Sequence, residues 1–194
     1  ENCVLIMHTD PNDPNGQPLQ HIASHLNLGS DNFLLSTDKL SEEGLALFYN
    51  AAYCTINISD AEGFGLSTLE SLACGTPIIC TMTGGLQEQV TNGEEWFGIG
   101  IHPASKAVIG SQQVPYIYED RLNKEDFLNS LEKMYNLDEN EYKKMAEGGL
   151  EHIKKNYSFE SYRQRLIHFM NYIHNHFGSY ENRKNYKSWD KNTL

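Results

Sequence analysis

Short apolar runs recur through the first hundred positions, separated by segments in which apolar residues return every third or fourth place. Cys3-Val4-Leu5-Ile6-Met7 reads as a buried strand, and Phe33-Leu34-Leu35, Cys54 to Ile58 and Ile78-Ile79-Cys80 read as further strands. Between them, Leu19, Ile22, Ala23 and Leu26 mark a helix expected to end at Gly29. Leu45, Phe48, Tyr49 and Ala52 mark a second, capped by Ser41. Trp96 to Ile101 is expected to be the last strand. Strands alternating with helices in this way predict an α/β fold, a Rossmann-like doubly wound parallel sheet. In that architecture ligands bind outside the carboxyl ends of the strands.

The pattern then changes. Residues 103–120 carry Pro, Gly, Ser and Gln and read as a long irregular loop. Three helices follow. The first is marked by Phe127, Leu128, Leu131, Met134 and Tyr135, and the second by Tyr142, Met145, Ala146 and Ile153. The third is capped by Ser158 and has Phe159, Tyr162, Leu166, Phe169, Met170, Ile173 and Phe177 along one side. Residues 1–177 therefore read as one domain. From Gly178 onward charge and Asn dominate, with Tyr180, Tyr186 and Trp189 interspersed. This predicts a polar tail over 178–194, either disordered or packed across another domain.

Residues 60–90 organise the rest. A strand ends near Ser59 and a loop follows with Gly63 and Gly65 on either side of Phe64. Ser67 and Glu70 have the S-x-x-E spacing of a capping box, which predicts a helix from about Ser67 to Cys74. Leu69, Leu72 and Ala73 give that helix a narrow apolar stripe, and Gly75 is placed to close it. After the strand Ile78-Ile79-Cys80, Gly84-Gly85 begins a second loop. Two strand–loop–helix units in tandem would aim two sets of free amides at one edge of a parallel sheet, a setting that attracts phosphate.

The motif has a close match in a known family. Glu62-Gly63-Phe64-Gly65-Leu66, Leu69-Glu70, Cys74-Gly75-Thr76-Pro77, Gly84-Gly85 and Glu88 resemble the donor-site signature of retaining glycosyltransferases of the glycogen-synthase-like and mannosyltransferase-like group, family four. The eight-position spacing of Glu62 and Glu70 matches the family's paired glutamates. Tyr157-Ser158-Phe159-Glu160 resembles the family's turn before its last long helix, so the similarity covers residues 3–177.

The resemblance implies one half of a GT-B fold, the half that binds the nucleotide sugar. It implies that Glu62, the catalytic residue, contacts hydroxyls of the transferred sugar near its anomeric centre. Glu70 would accept hydrogen bonds from the donor's ribose, and Gly63, Phe64, Gly65, Leu66 and Ser67 would meet sugar and phosphates. Thr37, Asp38 and Leu40 would frame the base, while Gly84, Gly85 and Glu88 would support the site. The implied reaction transfers a hexose from a UDP- or GDP-linked donor, GDP-mannose and UDP-glucose being the common ones, to a carbohydrate acceptor with retention. No metal and no other cofactor is expected. The family's domain opens with one more strand–helix unit carrying an Arg and a Lys for the diphosphate, and a separate N-terminal domain binds the acceptor. By resemblance this chain is the C-terminal part of such an enzyme. The same scaffold also serves sugar-nucleotide epimerases, and a non-catalytic sugar-nucleotide-binding module is a third reading.

Charge and composition narrow this. The 194 residues carry a net charge of −11, which argues against nucleic acid as a partner. Residues 1–105 hold thirteen Asp/Glu against a single basic residue, Lys39, a balance of −12. The proposed diphosphate site thus lies in the half almost without cations, so compensating charge is expected from outside the chain or from Lys106 or Arg121. There is no apolar run long enough to span a membrane and no signal peptide, and the four cysteines have no C-x-x-C spacing. A cytoplasmic location with free thiols is expected. Asp10 and Asp13 are explained by proline-rich turns, and His174 and His176 stand two apart on a helix, so neither pair is read as a metal site.

Overall fold

A computed structural model describes residues 3–14 and 16–184. The chain divides into two compact units, Glu1–Leu45 and Ala46–Leu194. In the first, β1 (Leu5–His8) and β2 (Phe33–Ser36) pair in parallel, Leu5 opposite Phe33 and His8 opposite Ser36. Between them runs α1 (Leu19–His25), and α2 (Glu42–Ala51) begins at the unit's end. Ser41 caps α2 as expected, its Oγ accepting the Gly44 amide at 3.2 Å. Asp10 accepts the Asn12 amide at 2.9 Å, a local turn that accounts for this acid in its proline-rich loop.

Two expectations for this unit need correction. Helix α1 stops before Gly29, because Asn27 takes a left-handed φ of 55°. The Gly29 carbonyl instead accepts the amides of Asn32 and Phe33 and turns the chain into β2. Strand β1 is not buried either: Val4, Leu5 and Ile6 are each close to half exposed. Among the described residues β1 pairs along one edge only, so the cover that a two-sided apolar strand requires is not supplied.

The second unit holds a three-stranded parallel sheet in the order β3 (Thr55–Asn57), β4 (Ile78–Thr81), β5 (Gly98–Ile101). Helices α3 (Leu66–Ala73) and α4 (Leu86–Val90) connect them. The central strand β4 is buried at every residue. Its alternation divides the core in two. Ile78 and Cys80 pack with Leu72, Leu86, Val90, Phe97 and Ile153 on one face, and Ile79 packs with Ile99, Ile101 and Met134 on the other. Burial pushes the Cys80 thiol up to about 12, so this cysteine behaves as a core side chain. Helices cover both faces of this sheet, as the double winding predicts, but among the described residues the strands form separate sheets rather than one.

Residues 103–120 are not an irregular loop. Strands β6 (Ser105–Ile109) and β7 (Ile117–Arg121) form an antiparallel hairpin in register from Ser105 opposite Arg121 to Ile109 opposite Ile117. The Gly, Ser, Gln and Pro that suggested a loop are concentrated in the connection, where Gly110 and Tyr116 take φ of 127° and 60°. Strand β5 is therefore not the last.

Helices α5 (Lys124–Tyr135), α6 (Glu139–Tyr157) and α7 (Phe159–Phe177) are capped by Asn123, Asp138 and Ser158, whose side chains accept first-turn amides. The apolar side of α7 exists as predicted, yet none of its residues is buried. Of the polar tail, Gly178 to Lys184 are described, and Tyr186 and Trp189 lie outside the described residues.

Candidate functional site

The first glycine loop leaves the carboxyl end of β3 and enters α3, but not through a capping box. Gly65 is the N-cap, with φ 87° and no side-chain cap, so the helix starts at Leu66. Ser67 and Glu70 are then second and fifth in the helix, and Glu70 stands too far along to reach back to the first amides. Ser67 Oγ accepts from Asn57 Nδ2 at 3.4 Å, and Thr68 Oγ1 accepts from the same nitrogen at 3.2 Å. Glu70 Oε2 accepts the Tyr49 hydroxyl at 2.9 Å. Burial, and next the Glu70 carboxylate, hold the Tyr49 phenol well above its ordinary range. The other end of α3 is as read from sequence. The amides of Gly75 and Thr76 return to the carbonyls of Leu72 and Ser71, closing the helix in a Schellman motif.

The two glycine loops are stitched backbone to backbone. A Cβ at Gly84, which has φ 49°, would overlap the Glu62 carbonyl oxygen. The Gly85 amide donates to the Gly63 carbonyl at 3.1 Å, and Gln89 Nε2 donates to the Phe64 carbonyl at 2.6 Å. Three consecutive carbonyls of the first loop thus face the second. Across each planar trans peptide the N–H points opposite to the C=O, so the first loop's amides are turned away from that contact. Among the described residues, the amides of Gly63, Phe64, Gly65, Leu66 and Ser67 make no hydrogen bond. The second loop does not present a matching set, because the amides of Gly85, Leu86 and Glu88 bond to Gly63, Thr83 and Gly85.

Glu62 is half-buried, and among the described residues its carboxylate has no hydrogen bond or ion pair. Phe64 is half exposed, its ring edge-on to Tyr157 at 6.1 Å between centroids, and Leu66 is exposed. Glu88 sits in the short α4. Its carbonyl, rather than its carboxylate, makes the contacts seen, accepting from Tyr157 Oη at 3.2 Å and lying 3.0 Å from His152 Nε2. Burial, followed by the charge of Glu88, raises the Tyr157 phenol. An open cleft of about 820 Å³ runs beside α4 and α6; Gln87, Glu88, His152 and Tyr157 line it, but Glu62 and Glu70 do not.

The structure therefore brings together Glu62, Gly63, Phe64, Gly65, Gly84 and Gly85, with Leu66, Ser67 and Glu70 on the helix that follows. Thr37, Asp38 and Leu40 belong to the first unit, just past the carboxyl end of β2, the first two exposed and Leu40 half-buried. Gln89 was not singled out in the sequence, although a polar residue in the Leu86–Gln89–Val90 stripe is a legible signal. Neither expected local cation is free. Arg121 pairs with Glu119 at 2.7 Å and Asp60 at 2.9 Å, and Lys106 lies 3.7 Å from Asp120. Among the described residues no group of three His, Cys, Asp or Glu is placed to hold a metal ion, and no helix is long and apolar enough to cross a membrane.

The family model described as glycosyl transferases group 1 matches residues 12–152. A D-inositol 3-phosphate glycosyltransferase of Kribbella flavida is 37% identical over 84 residues, covering 41% of this chain and 20% of the relative. A sucrose synthase of Solanum tuberosum is 26% identical over 106 residues, 55% of this chain and 11% of the relative. The chain thus spans a fifth or less of these curated relatives. Among solved structures, a glycosyltransferase of Rickettsia africae superposes with a TM-score of 0.65 at 18% identity, over 88% of this chain and 40% of its own. An Anabaena protein, HepE, in complex with UDP-glucose gives 0.61 at 16% identity, over 87% and 41%.

Proposed function

The chain belongs to the glycosyl transferases group 1 family, and from that premise we propose that it forms the donor-binding part of a retaining hexosyltransferase. The donor is a UDP- or GDP-linked sugar and the acceptor a carbohydrate hydroxyl, held by a further domain. The observation that carries this reading is the run of amides from Gly63 to Ser67 at the start of α3, unpaired among the described residues, beside the Glu62 carboxylate, which likewise has no partner among them. Amides at a helix N-terminus suit a diphosphate. As the glycosidic bond breaks, negative charge grows on the departing diphosphate, and fixed N–H groups stabilise it more in the transition state than in the ground state.

Glu62 lies at the mouth of the same loop, where a carboxylate opposes positive charge developing at the anomeric carbon. Glu70 has one oxygen engaged by Tyr49 and the other available to a ribose hydroxyl. With Arg121 held by Asp60 and Glu119, and Lys106 exposed 3.7 Å from Asp120, further cations for the diphosphate come from elsewhere in the full-length protein. No metal is assigned to the reaction, and free thiols at all four cysteines suit a cytoplasmic location.

The test is calorimetric titration of the full-length protein with UDP, GDP, UDP-glucose and GDP-mannose, followed by NMR of the product's anomeric centre. One nucleotide should bind selectively, and the product should keep the donor's anomeric configuration. Inversion would refute the retaining assignment. Conversion of the donor alone to an epimer would favour the epimerase reading.

A further inference from the structure

Gln89 is fully buried, and its side chain crosses from α4 to the first glycine loop. Nε2 donates to the Phe64 carbonyl at 2.6 Å, while Oε1, also buried, has no partner among the described residues. A Cβ built at Gly65 would lie 3.4 Å from that oxygen. A buried acceptor without a partner carries a desolvation penalty that an apolar side chain of the same size would avoid. Leu86 and Val90, its neighbours in the stripe, are apolar and equally buried. Filling the core therefore does not account for a glutamine here, but holding the Phe64 carbonyl does.

That carbonyl shares one peptide plane with the Gly65 amide, so fixing the direction of the oxygen fixes the N–H in the opposite direction. Gly65 is a glycine at φ 87°, so its own backbone resists rotation of that plane only weakly. The neighbouring plane is set by backbone alone, Gly85 N–H to the Gly63 carbonyl, which orients the Phe64 amide. Of the ties seen between the loops, the Gln89 bond is the one made by a side chain, and so the one a substitution can remove.

We propose that Gln89 is a positioning residue for the donor loop, aiming the Gly65 amide at the donor's diphosphate. This rests on the donor-site reading of the loop. It makes Gln89 act through a backbone group rather than by touching the substrate.

The experiment uses full-length protein and the Gln89→Met variant, which keeps the volume and removes both polar atoms. Thermal stability should stay close to wild type, because an orphaned acceptor is lost along with the bond. Calorimetric affinity for whichever of UDP and GDP the wild type binds should fall about tenfold or more. Turnover of the matching sugar should fall with it. In wild-type protein labelled with 15N-glycine, adding that nucleotide should shift the Gly65 amide resonance, and this reading is independent of whether Gln89→Met folds. Unchanged affinity in a folded Gln89→Met variant, or a Gly65 resonance unmoved at saturating nucleotide, would overturn the role of Gln89 and leave the donor-site reading standing. Wild-type protein that binds neither UDP nor GDP would overturn both.

Discussion

In the first glycine loop a Cβ added at Gly63 would meet nothing within 4 Å. In the second, one added at Gly85 would lie 2.6 Å from the Phe64 carbonyl oxygen, and one at Gly84 would overlap that of Glu62. The amides differ in the same sense: among the described residues they are unpaired from Gly63 to Ser67 and bonded at Gly85 and Leu86. Both loops follow a parallel strand, lead into a helix and carry a pair of glycines within three positions. One pair includes Gly63, where no described residue would meet an added Cβ. The other consists of glycines demanded by the protein itself. Space on one side of a backbone, with donors directed into it, is what a ligand site needs; a second loop pressed against the back holds it in place. The second loop is thus a support for the first rather than a second phosphate cradle.

Gly84→Ala tests the support most severely. The new methyl group would meet backbone rather than a flexible side chain, at a positive φ of 49°. A loss of about 3 kcal/mol or more is expected, since neither strain nor overlap has an easy release. Chemical denaturation reads it, and a variant as stable as wild type would show that the loops separate freely.

Glu62→Gln carries the contrast into chemistry. Among the described residues no hydrogen bond or ion pair makes the carboxylate part of the fold, so the midpoint of thermal unfolding should not move. Turnover should fall by about two orders of magnitude, equivalent to about 3 kcal/mol of transition-state interaction. A near-normal kcat would reduce Glu62 to a surface acid. Gly63→Ala is the sharper companion. With open space around the added methyl, stability should change by about 0.5 kcal/mol or less, the range of neutral surface changes. Donor affinity should drop about tenfold if the sugar or phosphate approaches that backbone closely. Equal donor affinity in Gly63→Ala and wild type would mean that the open side of the loop is not the ligand's side.

What could be read from sequence divides along the range of the interactions involved. The buried strand Ile78–Thr81, the Gly75 helix end and the Ser41 and Ser158 caps are set by neighbours within a few residues, and all are found. The supposed capping box also looked local, yet the start of α3 is decided by the left-handed Gly65, which Leu86 packs against from the other loop. The β6–β7 hairpin depends on pairing across a connection whose turn-forming residues dominated the composition of the whole segment. Gln89 contacts a carbonyl twenty-five positions away, beyond the reach of any spacing rule. The motif located the site because its glycines mark where backbone comes close. It could not say whether each close approach is to a ligand or to the protein.

The smallest expected effect concerns Glu70, where fold and ligand are proposed to share one carboxylate. Tyr49 donates to Oε2 from α2, so part of this residue's role is to tie two helices together. Tyr49→Phe removes the hydroxyl and keeps the ring, and should lower stability by about 1 kcal/mol, the net worth of one hydrogen bond. Donor affinity should stay at the wild-type value, since the carboxylate remains to receive the ribose. Glu70→Gln should do the reverse, retaining an acceptor for Tyr49 while weakening nucleotide binding. The phenol supplies a further signature with a definite sign. Its pKa is raised in the folded protein above the unfolded value of 10.0. The stability tied to the protonated hydroxyl is therefore fully present below pH 10 and is lost as the pH rises beyond it. Wild type and Tyr49→Phe should accordingly differ most at neutral pH and converge on the alkaline side. A constant difference from pH 7 to pH 11 would mean that the Tyr49–Glu70 bond is not what Tyr49→Phe removes. Glu70 would then be released from its structural role and left as a candidate ligand contact alone.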